Sequence, residues 1–302
     1  MADLAVDVTR ALERRNETGA PGRMTDRVLG SGPGWLVADV ICTADARDRP
    51  FEERHAGFAI AVVTAGSFVY RADAGGELMT PGSVFLGSPG QSFECGHDHS
   101  AGDRCLSFQF DPDYFMRAVR DAGLRMGRRF PVRRLPPMRP LSPFAARAVA
   151  GLVAGEAPWE EVAVDLAAGV ARLAVGADRV HAEAPPSALA RVTRVVRDIE
   201  RHADARLPLA ALASASGLSP FHFLRVFEQV TGTTPHQYVR RLRLREAAVR
   251  LATTDDRVLD LALDCGFGDL SNFIRAFRAE FGASPRAYRR MATSAPSAAS
   301  RP

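Results

Sequence analysis

The sequence predicts an α+β chain in two parts: an N-terminal antiparallel β-barrel with flanking helices, then an all-α C-terminal domain. Three observations carry the prediction. Between Phe58 and Phe110, short runs of strand-forming residues alternate with turn residues. From Leu189 to Arg290, apolar residues recur at helical spacing. Inside that helical third, a frame of aromatic, arginine, glycine and proline landmarks occurs twice, 50 residues apart.

Composition bounds what such a chain can do. At 302 residues, 46% hydrophobic and 25% charged, it has enough apolar material for two folded cores, which excludes wholesale disorder. No apolar run approaches the roughly 20 residues that cross a bilayer. The first residues, Met1-Ala-Asp-Leu-Ala-Val-Asp7, lack a basic segment followed by an apolar one, so no secretory signal and a cytoplasmic location are expected. Four cysteines are too few for a disulfide framework in a chain of this size. Net charge is +4, but residues 188–290 hold 17 arginines against 11 carboxylates, while the remainder is slightly acidic. Lysine is absent, a matter of composition bias. The asymmetry points the basic third toward a polyanionic partner.

The elements follow in order. Residues 1–50 show little periodicity apart from helical character in Leu4–Arg15. Strand-like runs then occupy 58–64, 67–71, 77–79, 83–86, 92–93 and 105–110, with turns expected at Asp73–Gly76 and Pro81-Gly82. Prolines 131, 136, 137, 140 and 143 mark a connection. Phe144 to Val175 reads as one or two helices, with Val162, Leu166, Val170 and Leu173 on one stripe. Ala182–Ser187, with Pro185-Pro186, is a second connection. The expected boundaries are 1–135 for the β domain, 136–182 for a helical linker, 188–290 for the helical domain and 291–302 for a disordered tail.

The repeat is the most informative feature. Phe223, Arg225, Phe227, Gly232, Pro235 and Tyr238 recur as Phe273, Arg275, Phe277, Gly282, Pro285 and Tyr288. Upstream, Leu212-Ala213 and Gly217 match Leu261-Ala262 and Gly266 at an offset of 49, so the turn differs by one residue. Gly217 and Gly266 suit the left-handed position that ends a helix. Ser219, and either Asp269 or Ser271, can cap the helix that follows. On each of those helices the two phenylalanines are four apart and share the buried face, which leaves the arginine between them on the free side. That is the plan of a helix-turn-helix: one helix braces and the second presents its polar side. Two packed helical hairpins without a partner would also fit one copy; two identical copies in a positive domain favour DNA.

Residues 189–290 closely resemble the DNA-binding domain of AraC/XylS-family transcription regulators. The second copy carries the signature most fully, in Asp260-Leu-Ala-Leu-Asp-Cys-Gly-Phe267, Ser271-Asn-Phe-Ile-Arg-Ala-Phe277 and Gly282-Ala-Ser-Pro-Arg-Ala-Tyr288. The resemblance implies seven helices, with two helix-turn-helix units bridged by a long helix at Pro235–Ala252. By motif position, the residues facing bases are Phe221, His222, Leu224 and Arg225 in the first unit. In the second they are Leu270, Ser271, Asn272, Ile274 and Arg275. Arg225 and Arg275 suit bidentate contact with guanine; Leu224, Leu270 and Ile274 suit apolar contact such as a thymine methyl. Arg240 and Arg278 suit phosphate. The run Arg240-Arg241-Leu-Arg243-Leu-Arg245 reads equally as phosphate contacts or as a solvated face with internal ion pairs.

The strand series is similar, more loosely, to the cupin-like sensor domain of such regulators, through Thr80-Pro-Gly-Ser-Val-Phe-Leu86. The resemblance implies a small effector inside the barrel and a homodimer, with residues 144–175 either pairing protomers or packing on the barrel. Double-stranded DNA is the expected macromolecular partner, RNA polymerase a further candidate, and a membrane is not expected. One cluster stands apart: Cys95, His97, His99 and Cys105 offer two thiols and two imidazoles, a donor set suited to zinc or another soft metal. A polar hairpin loop explains the same residues, and the rest of a metal-cupin pattern is missing. Cys42 and Cys265 read as ordinary buried thiols. Two other function classes follow from these features: a metal-dependent cupin enzyme with a helical appendage, and a helical adaptor that grips an acidic protein.

Overall fold

The computed structural model describes residues 2–50, 52–72, 75–177 and 184–293. Helix α1 (Ala2–Thr18) precedes strands β1 (Met24–Gly32), β2 (Trp35–Asp45), β3 (Glu52–Arg54), β4 (Phe58–Gly66) and β5 (Phe68–Arg71). Strands β6 (Gly76–Met79), β7 (Val84–Gly87), β8 (Ser92–Gly96) and β9 (Ala101–Phe110) follow. Then come α2 (Pro112–Asp121), β10 (Arg134–Leu135), a 3-10 turn at Arg139–Leu141, α3 (Ser142–Ala154) and α4 (Trp159–Val175). The strands form two antiparallel sheets, ordered β1-β2-β9-β4-β7-β10 and β3-β8-β5-β6. They face each other as a barrel that stays open, since no ladder joins them among the described residues.

The layering explains why the middle strands are apolar at successive positions. On β4, Phe58, Ile60 and Val62 enter the core shared with α2, α3 and α4, while Ala61 and Val63 enter the core between the sheets. On β9, Leu106, Phe108 and Phe110 take the helical side and Cys105 the inner side. A strand covered on both faces loses the polar alternation of a half-exposed one. Helix α1 is anchored on the six-stranded sheet through Arg104, whose Nε and Nη1 donate to Asp39 at 2.7 Å and Asp7 at 2.8 Å.

Several sequence expectations change here. Residues 1–50 hold two long strands besides the helix. The proline-rich connection contributes β10, which pairs with β7. Helices α3 and α4, read as one or two helices, are two. Their stripe residues Val162, Leu166 and Val170 are buried within this chain, in the core against the sheet. Residues 291–293, expected in a disordered tail, complete the last helix. Residues 294–302, 182–183 and 73–74, parts of the expected tail, second connection and hairpin turn, lie outside the described residues. No described helix is long and apolar enough to cross a membrane.

The C-terminal part consists of α5 (Pro186–Arg201), α6 (Leu209–Ser216), α7 (Pro220–Thr231), α8 (Pro235–Thr253), α9 (Val258–Asp264), α10 (Leu270–Phe281) and α11 (Pro285–Thr293). The α6–α7 and α9–α10 turns pass through Gly217 at φ 68° and Gly266 at φ 81°, where a side chain would be strained. The two halves share cores. Val69 and Leu78 of the small sheet pack with Phe223, Phe227 and Tyr238, and Ala146 of α3 packs with Leu244, Leu261 and Phe273. Polar contacts also cross the junction: Arg245 Nη2 donates to Pro81 O at 3.0 Å, Gly66 N to Glu200 Oε2 at 3.1 Å, and Ser142 Oγ to Glu280 Oε1 at 2.6 Å.

Candidate nucleic-acid interface

The two repeats fold into the same local machine. Ser219 Oγ accepts from His222 N at 3.4 Å and caps α7. In the second copy the cap is Asp269, whose Oδ1 accepts from Asn272 N at 2.7 Å, which leaves Ser271 on the helix surface. Phe223 and Phe227 are fully buried with ring centroids 5.5 Å apart, as are Phe273 and Phe277, also 5.5 Å apart. Each pair meets its tyrosine edge-on: Phe227 and Tyr238 at 5.7 Å, Phe277 and Tyr288 at 5.4 Å. These aromatic clamps fix the rotation of α7 and α10, and thereby which residues face out.

Most of the residues expected on these faces are exposed. Phe221 is 72% exposed and Ile274 38%. His222, Arg225, Ser271, Asn272, Arg275 and Arg278 are exposed. Leu224 is half-buried, and Leu270, also half-buried, leans on the core of the second unit. In register the stripes are Phe221, His222, Leu224, Arg225 and Glu228 against Ser271, Asn272, Ile274, Arg275 and Arg278. Glu228 is an exposed carboxylate where its counterpart is a guanidinium, so the second stripe is the more cationic. That inequality is legible in the sequence at the 50-residue offset.

Helix α8 links the units, and its arginines divide by role. Arg241 Nη1 donates to Pro137 O at 2.8 Å and Thr233 Oγ1 at 3.0 Å. Arg243 donates to Ala203 O, Ala205 O and Gly266 O, each at 2.6 Å, which ties the bridge to the turn of the second unit. Arg245 is buried at the junction with Pro81. Three of the four thus serve the scaffold; Arg240 alone of the run is exposed. Side chains with fixed internal acceptors are not available to phosphate, and Arg241, Arg243 and Arg245 do not form the solvated, ion-paired face that is the other expectation either: they are half-buried or buried and bond mainly to backbone carbonyls.

A second feature lies between the two sheets: a cavity of about 600 Å³ lined by Phe68, Phe85, Phe93 and His55, among others. His55 stacks on Phe93 with centroids 4.1 Å apart, and its Nε2 is 2.9 Å from Tyr70 Oη. Burial pushes its imidazole down to about 4, which leaves the ring neutral near pH 7. Cys95, His97 and Cys105 also line this cavity. The expected four-residue donor set is not assembled, however. The chain turns after β8, and His99 is exposed along a separate groove with Arg71 and Asp98. Cys42 and Asp103, which the sequence did not single out as ligands, take part instead: their donor atoms and one of His97 lie within 4.8 Å of one another. Burial pushes the Cys42 thiol up to about 12, and it also raises Cys95 and Cys105.

Known families match both parts of the chain, and individual relatives match the C-terminal third. A helix-turn-helix domain family covers residues 212–291, and an AraC-like ligand-binding domain family covers residues 40–160. Regulatory protein SoxS of Salmonella typhimurium is 37% identical over 98 residues, spanning 32% of this chain and 92% of its own length. The right origin-binding protein of Escherichia coli is 38% identical over 100 residues, and this chain spans only 35% of its length. The solved DNA-binding domain of AdpA, in complex with a target DNA, is 31% identical with a TM-score of 0.33, covering 33% of this chain and 91% of that one. With a ligand-binding family on one half, a helix-turn-helix family on the other, and a regulator aligned over nearly its whole length, the chain belongs to the AraC/XylS family of DNA-binding transcription regulators.

Proposed function

We propose that the chain reads operator DNA through α7 and α10, laid in successive major grooves on one side of the duplex. The observation that carries this is an exposed helix face with an arginine at the matching position, built twice and joined by a single helix. At 19 residues, α8 is about 28 Å long, near the roughly 34 Å of one duplex turn. Arg225 and Arg275 contact guanine, each contributing about 1–3 kcal/mol of discrimination. His222, Ser271 and Asn272 supply further hydrogen bonds, and Phe221, Leu224, Leu270 and Ile274 apolar contacts. Arg240 and Arg278 hold phosphate, which gives affinity and salt dependence rather than sequence choice.

The cavity is the regulatory site in this reading. Its volume of about 600 Å³ lies in the range that encloses a small molecule. The small sheet that forms one wall carries Val69 and Leu78, which sit in the core of the first unit. An effector that shifts this sheet therefore acts on the seat of α7, and its differential affinity for the two arrangements sets the size of the response. The protein works in the cytoplasm as a homodimer and engages RNA polymerase at its target promoters. Val153 and Val175 are apolar side chains that α3 and α4 leave exposed for pairing.

Operator selection from random duplexes, followed by affinity measurement against salt, tests the proposal. The selected site is expected to bind at least about 1000-fold more tightly than unrelated duplex at the same salt. Equal affinity for both would reject sequence-specific reading.

A further inference from the structure

The cavity between the sheets holds a donor set that small-molecule binding leaves without a role. Cys42 on β2 is paired with Asp103 on β9 in the register of the six-stranded sheet. His97 follows the end of β8 in the facing sheet. Their donor atoms, one from each residue, lie within 4.8 Å of one another. His97 and Asp103 are only 4% and 5% exposed. The guanidinium next in sequence to Asp103, that of Arg104, is committed to Asp39 and Asp7. Asp103 is left with His97 Nε2 at 2.7 Å from its Oδ2 and the Cys105 thiol donating to its Oδ1 at 3.4 Å. The other ring nitrogen, His97 Nδ1, is buried without a hydrogen-bond partner. A buried carboxylate carries a desolvation cost that a cation beside it offsets.

We propose that Cys42, His97 and Asp103 bind a divalent transition-metal ion of the zinc type. One thiolate, one imidazole and one carboxylate suit zinc and its first-row neighbours, whereas magnesium and calcium take oxygen donors. On binding, a sulfur–metal bond replaces the S–H bond of Cys42 and the proton leaves to solvent. Three protein ligands leave a fourth position open to the cavity. The ion ties β2 and β9 to the end of β8, so it staples one sheet to the other. Because the small sheet seats α7, occupancy of this site is a regulatory input, a consequence that rests on reading the cavity as the regulatory site.

Cobalt(II) titration of the purified full chain tests the site. A single equivalent should bind with a thiolate-to-metal charge-transfer absorption. Cys42→Ser, close in volume to the native residue, should abolish that absorption. His97→Ala and Asp103→Asn should weaken cobalt binding by at least about 100-fold, the upper end of what loss of an outer-shell partner costs. His99→Ala and Cys265→Ser should change neither quantity. Absence of a stoichiometric absorption in the native chain overturns the proposal whatever the variants do. So does an absorption that survives Cys42→Ser or is lost in His99→Ala. Operator affinity of the metal-free chain, measured alongside, reports on the regulator reading separately: intact operator binding without cobalt binding refutes the metal site alone.

Discussion

At the scale of single residues, the arginines of the helical part divide into exposed ones and ones that brace the scaffold. Arg225 and Arg275 occupy matching positions on exposed stripes, while Arg243 and Arg245 are spent on backbone carbonyls. Arg275→Ala is therefore expected to relax discrimination at one operator position by about 1–3 kcal/mol without loss of fold. A base-substitution panel measures this, and unchanged specificity across the panel rejects the role. Arg278→Ala should instead weaken all sequences alike and flatten the salt dependence by about one phosphate contact. Arg243→Ala should lower the melting temperature, because three fixed acceptors lose their donor at once. Glu200 behaves differently again. Burial pushes its carboxyl up to about 7, against the opposing effects of the Gly66 N–H and of Arg197, Arg201 and Arg245. A raised carboxyl favours the folded state when protonated, so this stability is present in full below about pH 4.5 and is lost as pH rises through about 7. Glu200→Gln should remove that dependence, and the stability difference between variant and native chain should grow from near zero to about 3 kcal/mol across the window. Denaturant midpoints at a series of pH values measure it, and a constant difference would contradict the assignment.

At the scale of elements, the helices were legible in the sequence because their signals are local. Proline or a cap at the start, glycine at the end and phenylalanines four apart all act within one or two turns of chain. The first two strands were not legible, for opposite reasons. Strand β1 lies at a sheet edge, is mostly exposed and contains Gly30 and Gly32, so it lacks an apolar alternation. Strand β2 faces the helical core through Trp35 and Val37 and the cavity through Ala38 and Val40, so its two faces blur into one run. Without β2 nothing in the sequence sets Cys42 beside Asp103, whereas Cys95, His99 and Cys105 are near His97 along the chain. The cap of α10 is the element-scale test. Asp269→Ala should destabilise the helical part by about 1 kcal/mol, with Asp269→Asn restoring most of it. Thermal unfolding measures both, and equal loss in the two variants would show that the charge rather than the cap bond is at work.

At the scale of the whole molecule, the two halves share cores and polar contacts, so α7 packs on the sheet that walls the cavity and α10 packs against α3, neither at the end of a free tether. This arrangement gives an effector or an ion between the sheets a physical route to α7. The rigid bridge makes the geometry on DNA testable without knowing the effector. Hydroxyl-radical footprinting of the full chain on its selected operator is the most direct measurement. Two protected tracts are expected on one face of the duplex, about 10 base pairs apart, with Arg225→Ala weakening one tract and Arg275→Ala the other. A single tract per protomer, tracts on opposite faces, or both tracts weakened equally by either variant would contradict the twin-helix account.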